Sequence, residues 1–226
     1  MQTRPLFKSG CLALDEAMQG GLKDDDTVQI YGPSGAGKTT LALQYATSAL
    51  RQGLRVLFFD AERAFSLARF RQLVSSDFDS LAPLLSVVSP SSFREQAGLI
   101  SQLGKLCPSN AHLLVFDTIV SLYRLELGEF EENIRLNRLL SRQLGEVAAF
   151  AKARKLAVVL VNQVRGDIES PDGFSPVADS IVSFWCTAQI RITKAESMGY
   201  REFKITRRDS TESKVFLAKL GNSGFE

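Results

Sequence analysis

Apolar and polar positions alternate along this chain in two rhythms. Short, nearly continuous apolar runs at residues 28–31, 55–59, 113–116 and 157–161 have the length and the β-branched or aromatic content of strands buried on both faces, with a weaker candidate at 85–88. Between them lie amphipathic stretches of helical period: residues 39–51, stopped near Gly53, a stretch reaching about residue 75, and residues 91–106. The clearest is 131–154, with apolar residues at Ile134, Leu136, Leu139, Leu140, Leu144, Val147 and Phe150. Past residue 162 the rhythm changes. Residues 165–175, with Gly166, Pro171 and Gly173, predict a loop, and 188–193, 200–206 and 214–220 predict three strands with no helices between them.

Strands separated by helices predict an α/β fold, a mostly parallel sheet flanked by helices, and the strand-only tail predicts antiparallel edge strands. No linker divides residues 1–226, so a single domain is expected. At 45% hydrophobic and 23% charged, the composition of these 226 residues is that of a globular chain and excludes disordered and fibrous classes. No run approaches the length of a membrane span, and the first residues lack a signal-peptide core. Cys11, Cys107 and Cys186 are too few and too scattered for a disulfide framework or a metal knuckle, which suits a reducing cytoplasm. The lone His112 argues against His-based zinc sites and Ser-His-Asp triads. A net charge of +2 does not by itself mark a nucleic-acid binder.

The candidate chemistry begins at Gly32-Pro33-Ser34-Gly35-Ala36-Gly37-Lys38-Thr39, which fits GxxxxGK[ST] between a predicted strand and a predicted helix. Glycines let successive backbone N–H groups converge on phosphate oxygens, and the helix start, including Thr40, adds its dipole. Lys38 would reach the outer phosphates of ATP, and the Thr39 hydroxyl would hold Mg²⁺. Asp117 ends an apolar strand, where an acid can act on the same ion. Glu62 lies just beyond another strand end and could activate water; Asp60 is its rival, although one residue earlier it should still belong to the strand. Gln163 ends the strand after that of Asp117, where its amide could sense the terminal phosphate.

These four elements, in this order, resemble the RecA/RadA recombinase ATPase core. Other stretches carry the resemblance further. Ser9-Gly10 through Asp15 to Gly20-Gly21-Leu22 is similar to the family's lead-in. Asp117 to Arg124 resembles its "DS…LYR" strand exit, and residues 157–164 resemble its "VAVVITNQV". The family implies a RecA-like P-loop NTPase core that binds ATP with Mg²⁺. In it, Arg69, within Phe65-Ser66-Leu67-Ala68-Arg69, would stack on the adenine. Within the family the chain is most similar to the short archaeal RadB group, which lacks an N-terminal helix-hairpin-helix domain; the lead-in starts by Lys8, and no such domain is expected here. Thr206-Arg207-Arg208 resembles that group's basic "KHR" element. Two departures stand out. Arg63 occupies a position usually glycine, and Pro176-Val177-Ala178-Asp179 aligns with a "P(I/V)GG" element whose glycine pair is absent, with Phe184 where relatives carry a histidine that couples nucleotide to DNA.

The two regions that hold single strands in recombinases are acidic here. Glu126, Glu129, Glu131 and Glu132 follow Arg124, and Asp167, Glu169 and Asp172 follow Arg165. Phosphate binding needs cations, and these are concentrated elsewhere: between Arg191 and Lys219 stand eight Lys or Arg against four acids. Arg201, Lys204, Arg207, Arg208 and Lys214 are therefore the expected DNA contacts, backbone-directed and salt-sensitive. The resemblance implies a DNA repair and recombination accessory protein with weak ATPase activity that assists a RadA-type recombinase without strand exchange. By family precedent it also implies a Holliday-junction resolvase as a partner, and it leaves self-association open. The alternatives are a DNA-dependent strand-exchange ATPase and an ATP-sensing regulator of the same superfamily.

Overall fold

The structure, a computed structural model, describes residues 5–170 and 173–226. β1 (Leu6–Phe7) and β2 (Leu22–Lys23) form a small antiparallel pair around α1 (Leu12–Ala17). β3 (Thr27–Tyr31) leads through the glycine-rich turn into α2 (Lys38–Arg51). β4 (Arg55–Asp60) precedes α3 (Leu67–Val74) and α4 (Phe78–Leu81), and β5 (Leu85–Val88) precedes α5 (Phe93–Ser101) and α6 (Leu103–Leu106). β6 (Ala111–Asp117) is followed by α7 (Ser121–Leu125) and the long α8 (Phe130–Arg154). After β7 (Ala157–Asn162) come β8 (Val164–Gly166), β9 (Phe174–Pro176) and α9 (Asp179–Val182). The tail holds β10 (Ala188–Lys194), β11 (Tyr200–Arg207), β12 (Ser213–Gly221) and β13 (Gly224–Phe225).

The main sheet has nine strands in the order β13-β12-β11-β10-β3-β7-β6-β4-β5. From β10 to β5 every pairing is parallel. Side chains of a strand alternate between faces, so the apolar runs feed two cores. Val56, Phe58, Leu113, Val115, Val159 and Val161 pack with α2 and α3, while Leu57, Phe59, Leu114, Phe116, Val158 and Leu160 pack under α5 and α8. On the second face Phe59 stacks on Phe116 at 4.5 Å between ring centres. Each such fully buried side chain contributes about 1.5–3 kcal/mol relative to exposure, and strands buried on both faces explain why the runs look continuous.

Three details differ from the expectation. β10, the first tail strand, joins the sheet parallel to β3, and only β11, β12 and β13 are antiparallel. The chain reaches β10 through α9, a crossover that returns it to the starting edge. The segment 165–175 is not irregular throughout: Val164, Arg165 and Gly166 pair with Pro176, Ser175 and Phe174 as an antiparallel hairpin, with Pro171 and Asp172 outside the described residues. The stretch 91–106 is two helices broken at Gln102. Among the described residues no helix is long and apolar enough to cross a membrane.

Candidate functional site

Parallel strands deliver their C-terminal ends to one edge of a sheet. Here β3, β4, β6 and β7 end around a cleft of about 500 Å³ that gathers Lys38, Thr39, Glu62, Asp117 and Gln163. The glycines of the turn are required by geometry. At Gly32, with φ +152°, a Cβ would fall 1.9 Å from the Ile192 carbonyl oxygen of β10. At Gly37, with φ +106°, it would fall 2.6 Å from the Phe225 ring of β13. Gly37 caps α2 without a side-chain acceptor, so the first-turn amides of that helix are left for an anion. The Lys38 ammonium folds back and donates to the carbonyl oxygens of Gly32 (2.8 Å) and Pro33 (3.0 Å). Burial pulls its pKa below the ordinary lysine value, against the attraction of Asp117 and Glu62.

Asp117 lies at the end of β6, and the Asp117–Thr118 peptide is cis. Its carboxyl is pushed up to about 6, first by burial and then by the neighbouring carboxylates Glu62 and Asp60, while a hydrogen bond from Thr39 and the charge of Lys38 oppose the shift. Thr39 and Asp117 thus stand together as an oxygen pair. Asp60 ends β4 and is buried, its two oxygens accepting the backbone N–H groups of Ala64 and Phe65, both at 2.9 Å. It pins the turn and is not among the residues lining the cleft, whereas Glu62, two residues on, lines it. Glu62 Oε1 accepts hydrogen bonds from the Gln163 amide and, at 3.4 Å, from the Thr118 hydroxyl.

Sequence reasoning missed four cleft residues: Thr118, Val164, Leu220 and Arg124. Arg124 on α7 donates from Nη1 to Gln163 Oε1 at 2.8 Å. Its place beside a predicted acidic loop marked it as a loop cation, and nothing local pointed to a partner 39 residues away. Arg69 is not among the residues lining the cleft. Its guanidinium donates to the carbonyl oxygens of Asn222 (2.8 Å) and Gly221 (3.2 Å), and so holds the β12–β13 turn next to Leu220.

The five tail cations do not form one cluster. Arg201 turns to the phosphate loop, donating to the carbonyl oxygens of Ala36 (3.2 Å) and Gly35 (3.5 Å). Arg207, at the other end of β11, is paired with Asp209, and Arg208 donates to the Ser183 and Phe184 carbonyls. Lys204 sits opposite Arg191 and Val215, and Lys214 opposite Ile205 on the other face. Phe184 is 65% exposed, packs edge-to-face on Trp185, and does not line the cleft. Two of the three residues that stand at family glycine positions adopt the left-handed backbone that glycine tolerates best: Arg63 has φ +53° and Ala178 φ +49°.

The chain is similar throughout its length to known proteins. The RecA N-terminal domain family matches residues 3–221. A "DNA repair and recombination protein RadB" of Methanococcus maripaludis is 32% identical over 215 residues, covering 94% of this chain and 96% of the relative. One from Methanococcoides burtonii is 32% identical over 202 residues, 89% of this chain and 88% of the relative. Among solved structures, the crystal structure of the RadB recombinase superposes with a TM-score of 0.82 at 30% identity, covering 97% of this chain and 98% of that one.

Proposed function

This chain belongs to the RecA family and, within it, to the RadB group, and from that premise we propose that it is an ATP-binding accessory protein of DNA repair and homologous recombination. The observation that carries the reading is the convergence of Lys38, Thr39, Asp117, Glu62 and Gln163, from four strand ends, on one cleft. The unshielded amides after Gly37 and the Lys38 ammonium suit a polyphosphate. Among the described residues no group of three or more His, Cys, Asp or Glu forms a metal cage. The Thr39–Asp117 oxygen pair fits Mg²⁺, which binds through one or two protein ligands with phosphate and water supplying the rest. When bound, the ion supplies charge neutralisation on the phosphates.

The protein's own groups divide the remaining work. Lys38 leaves the Gly32 and Pro33 carbonyls to meet the outer phosphates. Glu62, which unlike Asp60 lines the cleft, would take a proton from water, and Gln163 donates one amide hydrogen to Glu62 while the other remains for the terminal phosphate. Arg69 would have to exchange its bonds to the Asn222 and Gly221 carbonyls to stack on the adenine. Hydrolysis is weak in this reading.

DNA binding falls to Lys204 and Lys214, which have no ion-pair partner among the described residues. Arg201, Arg207 and Arg208 would have to exchange existing partners to join them. The acidic stretch from Glu126 to Glu132 and the Asp167- and Glu169-bearing hairpin disfavour strand exchange by this chain itself. An assisting role beside a RadA-type recombinase, with a Holliday-junction resolvase as a further partner, follows from the RadB relationship, in a cytoplasmic setting. The test is ATP turnover at low salt with and without single-stranded DNA, beside Lys38→Ala. Slow turnover that DNA leaves unchanged and the variant abolishes is expected. Turnover raised many-fold by DNA would replace the accessory reading with strand exchange.

A further inference from the structure

We infer that Arg124 is a positioning residue of the hydrolytic centre, acting through Gln163 on Glu62. Gln163 stands between a group that can only donate and a group that, ionised, can only accept. Arg124 Nη1 donates to Gln163 Oε1 at 2.8 Å, and the Gln163 amide nitrogen donates to Glu62 Oε1. A glutamine amide has two faces of opposite character, and turning it over would set its N–H₂ against the guanidinium and its oxygen against the carboxylate. Arg124 therefore fixes which end of Gln163 enters the cleft.

That choice matters because the amide nitrogen has two hydrogens. One is used on Glu62, and the second remains for the cleft that Gln163 lines together with Lys38 and Thr39. Arg124 thus holds the amide so that it can bridge the water-activating carboxylate and the position of the terminal phosphate. The lower anchor of this arrangement is tied to the backbone: Thr118 donates to the same Glu62 oxygen at 3.4 Å and accepts from the Ser121 backbone N–H at 3.1 Å, at the start of α7, the helix that carries Arg124. Glu62, Thr118, Arg124 and Gln163 form one hydrogen-bonded circuit closed through the backbone of α7. The charge of Arg124 strengthens its bond to Gln163 relative to a neutral donor.

The kinetic arm of the test rests on the hydrolytic reading above; the spectroscopic arm does not. In steady-state turnover, Arg124→Ala is expected to lower kcat about three- to tenfold with KM for ATP little changed, the cost of a misplaced catalytic group. Arg124→Lys, which still donates, should recover most of the loss. In a Gln163→Ala background Arg124→Ala should have no further effect. Equal losses in both backgrounds, or a loss confined to KM, would overturn the assignment. Absence of Lys38-dependent turnover in the parent would instead overturn the hydrolytic reading, and the second arm would then decide. The side-chain amide resonances of Gln163 in ¹⁵N-labelled protein are assigned by their disappearance in Gln163→Ala. They should move on Glu62→Ala in the parent and stay in place on Glu62→Ala in the Arg124→Ala background. The same movement in both would show that Gln163 is set without Arg124 and would overturn the inference.

Discussion

The nucleotide cleft and the tail sheet use similar densities of charged side chains to opposite effect. In the cleft, parallel strands release their chains at one edge, so residues far apart in sequence arrive at a common point and engage one another: Lys38 with its loop, Thr39 with Asp117, Gln163 with Glu62. In the tail, antiparallel strands run the length of the sheet and side chains alternate between its faces. Cations that look clustered along β11 and β12 are therefore dispersed, with Arg201 at the phosphate loop, Arg207 at the far end and Lys204 and Lys214 on opposite faces. Parallel strand ends concentrate chemistry, whereas antiparallel strands spread it.

The contrast breaks if the tail proves indispensable to the cleft. Phe203 of β11 is fully buried, stacked on Phe216 at 5.3 Å and edge-on to Phe225 at 4.9 Å. Phe203→Ala should cost about 3–5 kcal/mol in urea unfolding. Because Phe225 abuts Gly37, ATP affinity should fall too; unchanged affinity would show that the regions are independent. Lys38→Ala should reduce turnover about a hundredfold or more with little change in melting temperature, confining its effect to the cleft. Asp117 gives the next test. Its folded pKa of about 6 lies above the ordinary 3.8, so the folded chain holds this proton more tightly than the unfolded one. The nucleotide-free protein therefore has this contribution in full below about pH 4 and loses on the order of 2 kcal/mol as pH rises towards about 6. Thermal melts should show Mg·ATP stabilising more at pH 7.5 than at pH 5.

Within the tail, Lys204→Ala and Lys214→Ala should each weaken DNA binding and reduce the salt slope by about one, measured by anisotropy titration at several ionic strengths. An effect from only one would place the DNA on a single face. The smallest effect expected is a gain: Arg63→Gly or Ala178→Gly should relieve left-handed strain and stabilise by about 0.5–1 kcal/mol in urea unfolding. No gain would mean that the side chain at that position makes compensating contacts.

Much of the cleft was legible because its signals are local. A glycine spacing and polar residues at the ends of apolar runs can be read one segment at a time, and Lys38, Thr39, Glu62, Asp117 and Gln163 all stand where those signals put them. What escaped depends on pairings between distant segments. Arg124 meets Gln163 across 39 residues, and Arg201 meets Ala36 across 165. The parallel direction of β10 follows from a short crossover helix that has too few residues to show a helical period. In the tail, which face each cation takes depends on strand register, which composition does not encode.

Gln44 links the ends of the described chain to the helix that follows the phosphate loop. Its amide donates to the Ser9 carbonyl at 2.7 Å and accepts the Phe225 N–H at 2.9 Å, a contact spanning 181 positions. The helix behind Lys38 should therefore seat fully only once β13 has docked. Chains truncated before Gly221 should contain the whole glycine-rich loop and yet fail to retain ATP, so that nucleotide capture reports the docking of β13.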